Sequence, residues 1–213
     1  MCIRDRPLRK IRAFCDRIDD RGRVDDERTL DYLARIRRSA DRMYAMVHDL
    51  LEIARVPVGA HERLPVPLED IVVRVLDSLS PVIEESDGTV EIDALPAVLA
   101  NDVQMLQVIH NLVENALKYR AADRKPTIRI RAADSPDPQR VRIEVADNGI
   151  GFEQEFADRI FVLFECLHDR TSYSGTGLGL ALCKRIVEQH HGTIEAYGVP
   201  EQGARFVFEL PAA

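Results

Sequence analysis

The chain has 213 residues, 46% of them hydrophobic and 31% charged, with a formal net charge of −7. That is the profile of a soluble globular protein with room for one good core plus a smaller element, or for two small domains. Residues 1–55 carry 14 basic and 11 acidic side chains (+3), whereas residues 56–213 carry 15 and 25 (−10), so the larger part lacks the basic footprint of a nucleic-acid binder.

The opening residues, MCIRDRPLRKI, are too basic and too poor in apolar residues for a signal peptide. No apolar run approaches the roughly 18–20 residues of a membrane span. A membrane-anchored sensor, if there is one, is therefore expected upstream of Met1. Cys2, Cys15, Cys166 and Cys183 form no CxxC pair, which reads as reduced thiols in a cytoplasmic compartment. Leu8, Ile11, Cys15 and Ile18 recur at steps of three and four, and after the polar DDRGRVDD turn the same spacing resumes. Leu33, Ile36, Ala40, Met43, Val47, Leu50 and Ala54 form that second seam, a heptad stripe over about three heptads. A hairpin of two such helices cannot hide both seams, so residues 1–56 are expected to pair with a second copy as a four-helix bundle. A solvated coiled-coil spacer would show the same stripes.

Residues 57–67, with three prolines, read as a linker. The remaining 68–213 mix helix and strand. Helices are expected over 68–85 and 102–119, and from about Gly179 onward. IRIRA (128–132) and VRIEVA (141–146) alternate in the manner of half-buried strands, and TIEAY (193–197) and ARFVFEL (204–210) follow as two more. Helices segregated from a largely antiparallel sheet imply a two-layer α+β domain.

Three short patterns carry chemistry. At 100° per residue, Asn111, Asn115 and Lys118 share one narrow face of their helix, while Ile109, Val113 and Ala116 occupy the opposite side. Two amide oxygens and a cation together suit Mg²⁺ and phosphate, although an ordinary solvated face reads the same way. Asp147-Asn148-Gly149-Ile150-Gly151 follows a strand directly. A carboxylate there can accept a hydrogen bond from a ligand amine while the glycines turn the backbone around it, but Asp-Asn-Gly is also a common turn. Ser174-Gly175-Thr176-Gly177-Leu178-Gly179 opens a helix, where backbone amides can approach phosphates. The preceding ECLHDRTSYS is loop-like rather than a strand, which excludes the dinucleotide-binding βαβ reading.

In order, NLVENALKY, DNGIG, IFVLFECL (160–167) and GTGLGL resemble the N, G1, F and G2 boxes of sensor histidine kinases. DYLARIRRSADRMYAMVHDLLEIARV similarly resembles the second helix of their dimerisation and phosphotransfer hairpin. The resemblance covers essentially the whole chain, and FECLHDRTSYSGTGLGLALCKRIVEQHHG adds a likeness to phytochrome-type and PAS-linked members. It implies a Bergerat-type ATP pocket closed by a lid over about 165–176. It also implies transfer of the ATP γ-phosphoryl group to a histidine, for relay to a response-regulator aspartate. By the same resemblance Asn115 is the Mg²⁺ ligand and Asn111 helps position metal and phosphate. Lys118 and Tyr119 contact phosphate and nucleoside, and Asp147 recognises the adenine amine beside Gly149 and Gly151. Phe161 and Phe164 anchor the lid, while Gly175, Thr176, Gly177, Leu178 and Gly179 line the phosphates. ATP and Mg²⁺ are the implied cofactors; a second copy and a response-regulator receiver domain are the implied partners.

The chain departs from the family at its start. The family's H-[DE]-L-x-x-P-L motif is matched only at its end, by Pro7-Leu8, and counting back five from Pro7 gives Cys2 followed by Ile3. No phosphoacceptor is thus expected in this chain. His48-Asp49-Leu50 imitates the motif without its proline, inside the second-helix pattern. Three rivals remain: an ATP hydrolase of the same fold, a serine-directed kinase, and a non-catalytic ATP-binding and dimerisation module. Hydrolases of this fold place a glutamate base where Asn111 stands, and an amide cannot take a proton from water.

Overall fold

A computed structural model describes Ile11, Cys15, residues 27–55, residues 63–165, Leu167 and residues 176–213. The chain divides into two compact units, Met1–Arg55 and Val56–Ala213. In the first unit Ile11 and Cys15 have helical backbone, and helix α1 spans Glu27–Arg55. Of its heptad seam, Leu33 and Ala40 are buried, as is Cys15, and Val47 is half-buried. Ile36 and Met43 stay exposed beside Leu30, Tyr32 and Tyr44, so the unit keeps an uncovered apolar surface. The side chains of Leu50 and Ala54, the rest of the first seam and Cys2 lie outside the described residues, as does the side chain of His48.

The second unit is built on a five-stranded sheet, order β2-β4-β5-β7-β6. Its strands are β2 (Thr89–Ile92), β4 (Thr127–Ala133), β5 (Arg140–Asp147), β6 (Thr193–Val199) and β7 (Gly203–Pro211). The β2–β4 pair is parallel and every other pair antiparallel. β1 (Leu64–Pro67) and β3 (Ala97–Ala100) form a separate antiparallel pair, joined to the end of β7 by a bridge from Val98 to Ala212. The last four residues of the expected 57–67 linker are therefore a strand. Pro65 and Pro67 cannot donate to a ladder, which confines β1 to an edge and makes it look like linker in the sequence.

Alternation gives the sheet one dry face. Ile128 and Ile130 of β4, Ile143 and Val145 of β5, Phe206 and Phe208 of β7, and Ile194 and Ala196 of β6 are all buried. Ile130 lies opposite Val145, and Ile143 opposite Phe208, so these side chains form continuous cross-strand rows. Helices α2 (Leu68–Glu85), α3 (Asp102–Lys118) and α4 (Gly179–Gln189) contribute the other half of the core through buried Leu68, Ile71, Met105, Leu112, Leu117 and Ile186. The other face of the sheet carries charge ladders. Glu91 pairs with Arg129, Arg142 with Glu209, and the buried carboxylate of Glu144 with both Arg131 and Arg205. Opposite charges directly across a ladder add a few tenths of a kcal/mol to about 1 kcal/mol each.

Two caps fix α3 in its place. Asn101 accepts a hydrogen bond from Gln104 N (3.1 Å) through its side chain, as N-cap residues do. Its own backbone N–H donates to Nε2 of the buried His190 (3.0 Å), whose Nδ1 lies 2.8 Å from Ile186 O. One neutral imidazole, protonated on Nδ1, thus ties the start of α3 to the end of α4.

Candidate functional site

The core-facing side of α3 is the one expected: Ile109, Val113 and Ala116 are buried, while Asn111, Asn115 and Lys118 are half-buried. Helix α4 packs against α3 at Asn111. A Cβ placed on Gly179 would sit 3.1 Å from Asn111 Oδ1, so this glycine permits the close approach of the two helices. One turn further along α4, the fully buried Cys183 thiol lies 3.8 Å from Val108 O and takes a hydrogen bond from the Asn111 amide. Burial pushes that thiol up to about 12, so it stays protonated. Asn111 is held from two sides. The Asn115 amide, in contrast, makes no hydrogen bond to the described residues and its oxygen is available to a ligand. The Lys118 ammonium lies 4.4 Å from the centroid of the Tyr119 ring.

The far end of α3 meets the Asp147–Gly151 loop. Tyr119 O accepts from Ile150 N (3.0 Å), and a Cβ on Gly149 would lie 2.4 Å from that same oxygen. Gly151 has φ +61 and a Cβ there would collide with Val199 O at 2.0 Å, so both glycines are dictated by the fold. Asp147 closes the dry row of β5 with a carboxylate. Its Oδ1 accepts from Gly149 N (2.8 Å) and Ala204 N (3.1 Å), which leaves Oδ2 for an external donor. Burial raises this carboxyl from 3.8 to about 6 in spite of those two N–H groups.

The glycine-rich loop leads into α4 with Gly177 at φ +73 and no side-chain cap at Leu178. The first amides of α4 lack intrahelical acceptors and can take an anion. Phe161 is buried, with the Lys184 ammonium 5.7 Å from its ring centroid. Phe164 is exposed, and its φ of +67 is costly for an aromatic residue. Its N–H donates to Gly177 O (3.0 Å), closing the neck of the intervening segment. Thr176 and Leu178 flank that neck, half-buried and buried respectively. Gly175 and most of the expected lid lie outside the described residues.

The predicted residues thus gather at two places along α3: at its middle, Asn111 with Gly179, and past its C-terminal end, Tyr119 with Gly149 and Asp147. Cys183, Ala204 and Arg124, which support them, carry no signature in the sequence. Among the described residues no group of three or more His, Cys, Asp or Glu side chains could hold a metal. An ion here would depend on amide oxygens and on phosphate. Hard amide oxygens fit Mg²⁺, which takes few protein ligands and completes its shell with phosphate and water. No described helix is long and apolar enough to cross a membrane.

Residues 100–213 match the family described as histidine kinase-, DNA gyrase B- and HSP90-like ATPase, and residues 6–59 match the His Kinase A (phospho-acceptor) domain. The phytochrome-like protein Cph1 of Synechocystis sp. is 34% identical over 206 residues, covering 96% of this chain and 27% of that protein. The chain spans about a quarter of the length of the curated relatives it matches. Among solved structures, full-length ShkA in complex with AMPPNP superposes with a TM-score of 0.71 at 29% identity, over 98% of this chain and 43% of that one. The histidine kinase ThkA in complex with the response regulator TrrA shares the fold, with a TM-score of 0.66 at 23% identity over 97% of this chain and 59% of that one.

Proposed function

The chain belongs to the sensor histidine kinase family, and on that premise we propose that it is the ATP-dependent protein-histidine kinase module of a two-component signalling protein. The observation that carries the nucleotide site is the pairing of two free acceptors on one helix–loop junction. Asp147 Oδ2 stands at the Tyr119 end of α3 and the Asn115 oxygen one turn before it. Asp147 receives the adenine amine. Lys118, on leaving Tyr119, and the first amides of α4 neutralise phosphate. Asn115, with Asn111 beside it, would hold Mg²⁺, which when bound would supply charge neutralisation at the phosphates.

Phosphoryl transfer asks little covalent chemistry of a protein and much positioning. Asn111, gripped by Gly179 and Cys183, orients the phosphate end and cannot act as a base toward water, which favours transfer over hydrolysis. The bond between Pγ and the bridging oxygen breaks, that oxygen leaves with ADP, and an imidazole nitrogen takes Pγ. Cys2 and Ile3 stand where the family has its histidine and acid, so the acceptor histidine must be restored at position 2 or supplied on another chain. The exposed Leu30, Tyr32, Ile36, Met43 and Tyr44 of α1 support homodimerisation through the helical unit. The receiver domain of a response regulator is the partner for relay, as ThkA is found with TrrA. A cytoplasmic site of action follows from ATP use. Titration calorimetry with Mg·ATP tests the site: Asn115→Ala and Asp147→Asn should each weaken binding at least about tenfold, and unchanged affinity in both would overturn the assignment.

A further inference from the structure

We propose that Arg124 is the positioning residue for adenine recognition, acting on Asp147 through the Asn148–Gly149 peptide; the inference rests on the nucleotide site proposed above. Arg124 lies beyond the end of α3, outside every motif that marks the pocket. Its Nε donates to Asn148 O (2.8 Å), and its Nη2 donates to Gly149 O (3.3 Å) and to Glu201 O. One guanidinium therefore clamps three carbonyls, two in the Asp147–Gly151 loop and one in the turn between β6 and β7. The same turn is joined to the loop directly by Glu201 N to Ile150 O (2.8 Å), and the start of β7 by Ala204 N to Asp147 Oδ1.

The peptide unit between Asn148 and Gly149 decides the matter. In a trans peptide the C=O and the N–H point in opposite directions. Here the C=O is held by Arg124 Nε, and the N–H donates to Asp147 Oδ1 at 2.8 Å. Turning this peptide would release both ends at once. Arg124 thus sets the direction of the N–H that occupies Oδ1 and leaves Oδ2 facing outward. It does so by geometry rather than by charge: the groups that shift the Asp147 carboxyl are burial and the N–H groups of Gly149 and Ala204, with Arg124 absent from them. The Asn148 side chain pins the same loop from beneath, accepting from Thr127 N (2.9 Å) and donating to Lys125 O (2.9 Å). The loop would therefore stay folded without Arg124 while its second peptide loses its orientation. A lysine offers a single point charge and cannot span three carbonyls as the planar fork does.

The test uses the whole chain and two nucleotides, Mg·ATP and Mg·ITP. Hypoxanthine carries a carbonyl oxygen where adenine carries its amine, so ITP lacks the exocyclic donor that Asp147 Oδ2 would accept from. Arg124→Ala should lower ATP affinity by about tenfold and leave ITP affinity within about twofold, collapsing the ATP/ITP ratio. Arg124→Lys should fall between wild type and Ala. A second readout is the pH midpoint of ATP binding. With the Gly149 N–H no longer aimed at it, the Asp147 carboxyl loses a contact that lowers its pKa, and the midpoint should move upward. A residue that merely stabilised the fold would weaken both nucleotides together and leave the midpoint in place; that outcome, or an unchanged ATP/ITP ratio, overturns the inference. Should Arg124→Ala not fold, Arg124→Lys is judged by the same two readouts. Asp147→Asn, run alongside, separates the two levels. If it binds ATP as wild type does, the adenine site itself is wrong. If it loses ATP discrimination while the Arg124 variants keep it, only the role of Arg124 falls.

Discussion

Asp147 ends a row of apolar side chains with a carboxylate that the fold desolvates and then half satisfies. Its pKa is raised to about 6, so the folded chain binds this proton more tightly than the unfolded chain does. The contribution to stability is fully present below the ordinary carboxylate value of 3.8 and is lost as pH rises through 6, amounting to on the order of 1–3 kcal/mol. Asparagine would keep the Oδ1 acceptor for Gly149 and Ala204 while removing the buried charge. Asp147→Asn should therefore melt higher than wild type at neutral pH even as it binds ATP more weakly. Calorimetric scans set beside the titrations check this, and a lower melting temperature would contradict it. Ligand binding runs the other way with pH. A proton on Oδ2 turns the acceptor into a donor, so the ratio of wild-type to Asp147→Asn affinity should climb as pH passes 6. Asp147 was legible in the sequence because a strand and two glycines frame it. His190 was not. It is the buried acceptor for the backbone N–H of Asn101, the residue that caps α3, and only the juxtaposition of two helix ends reveals that.

At the scale of elements, α3 and α4 meet over Gly179, and the contact links packing to chemistry. Gly179 is the first residue of α4, so alanine there would gain less than the roughly 0.8–1 kcal/mol of a helix interior, and its Cβ would press on the Asn111 amide at 3.1 Å. Since Cys183 holds that amide from the other side, it cannot yield freely. Gly179→Ala should keep or raise thermal stability and lower ATP affinity by about tenfold. A variant with wild-type affinity would show that the Asn111 position does not matter. Glu144 gives the matching control: its carboxylate is buried on the far face between Arg131 and Arg205. Glu144→Ala should cost about 1–3 kcal/mol in denaturant unfolding with ATP binding unchanged.

Most elements were legible because their periodicity is long. Helix α2 runs over Leu68–Glu85 as its pattern indicates, and β4 and β5 extend the alternating IRIRA and VRIEVA runs by a residue or two at their ends. The four-residue strands β1, β2 and β3 offer too few alternations to stand out, and prolines at 65 and 67 disguise β1. The parallel pairing of β2 with β4 across α3 depends on long-range packing that no local pattern encodes.

For the whole molecule, the proposed function assigns association to the helical unit and nucleotide binding to the sheet unit. Exposed Ile36 and Met43 lie on the α1 seam with buried Leu33 and Ala40, which is the distribution expected of a face awaiting a second copy. Ile36→Asp should shift the chain toward monomer in sedimentation at micromolar concentration; a wild-type monomer at much higher concentration would contradict pairing through this unit. On the proposed function the chain passes the γ-phosphoryl group of ATP to a histidine. Incubation with γ-labelled ATP and Mg²⁺ tests it most directly, comparing the unaltered chain with the double variant Cys2→His, Ile3→Asp. The expected result is no label on the unaltered chain, and on the double variant an acid-labile, base-stable label that survives His48→Ala and disappears with Asn115→Ala. No label on the double variant, or an acid-stable label, would contradict it; label on the unaltered chain that His48→Ala abolishes would instead make His48 the acceptor and overturn the reading of position 2.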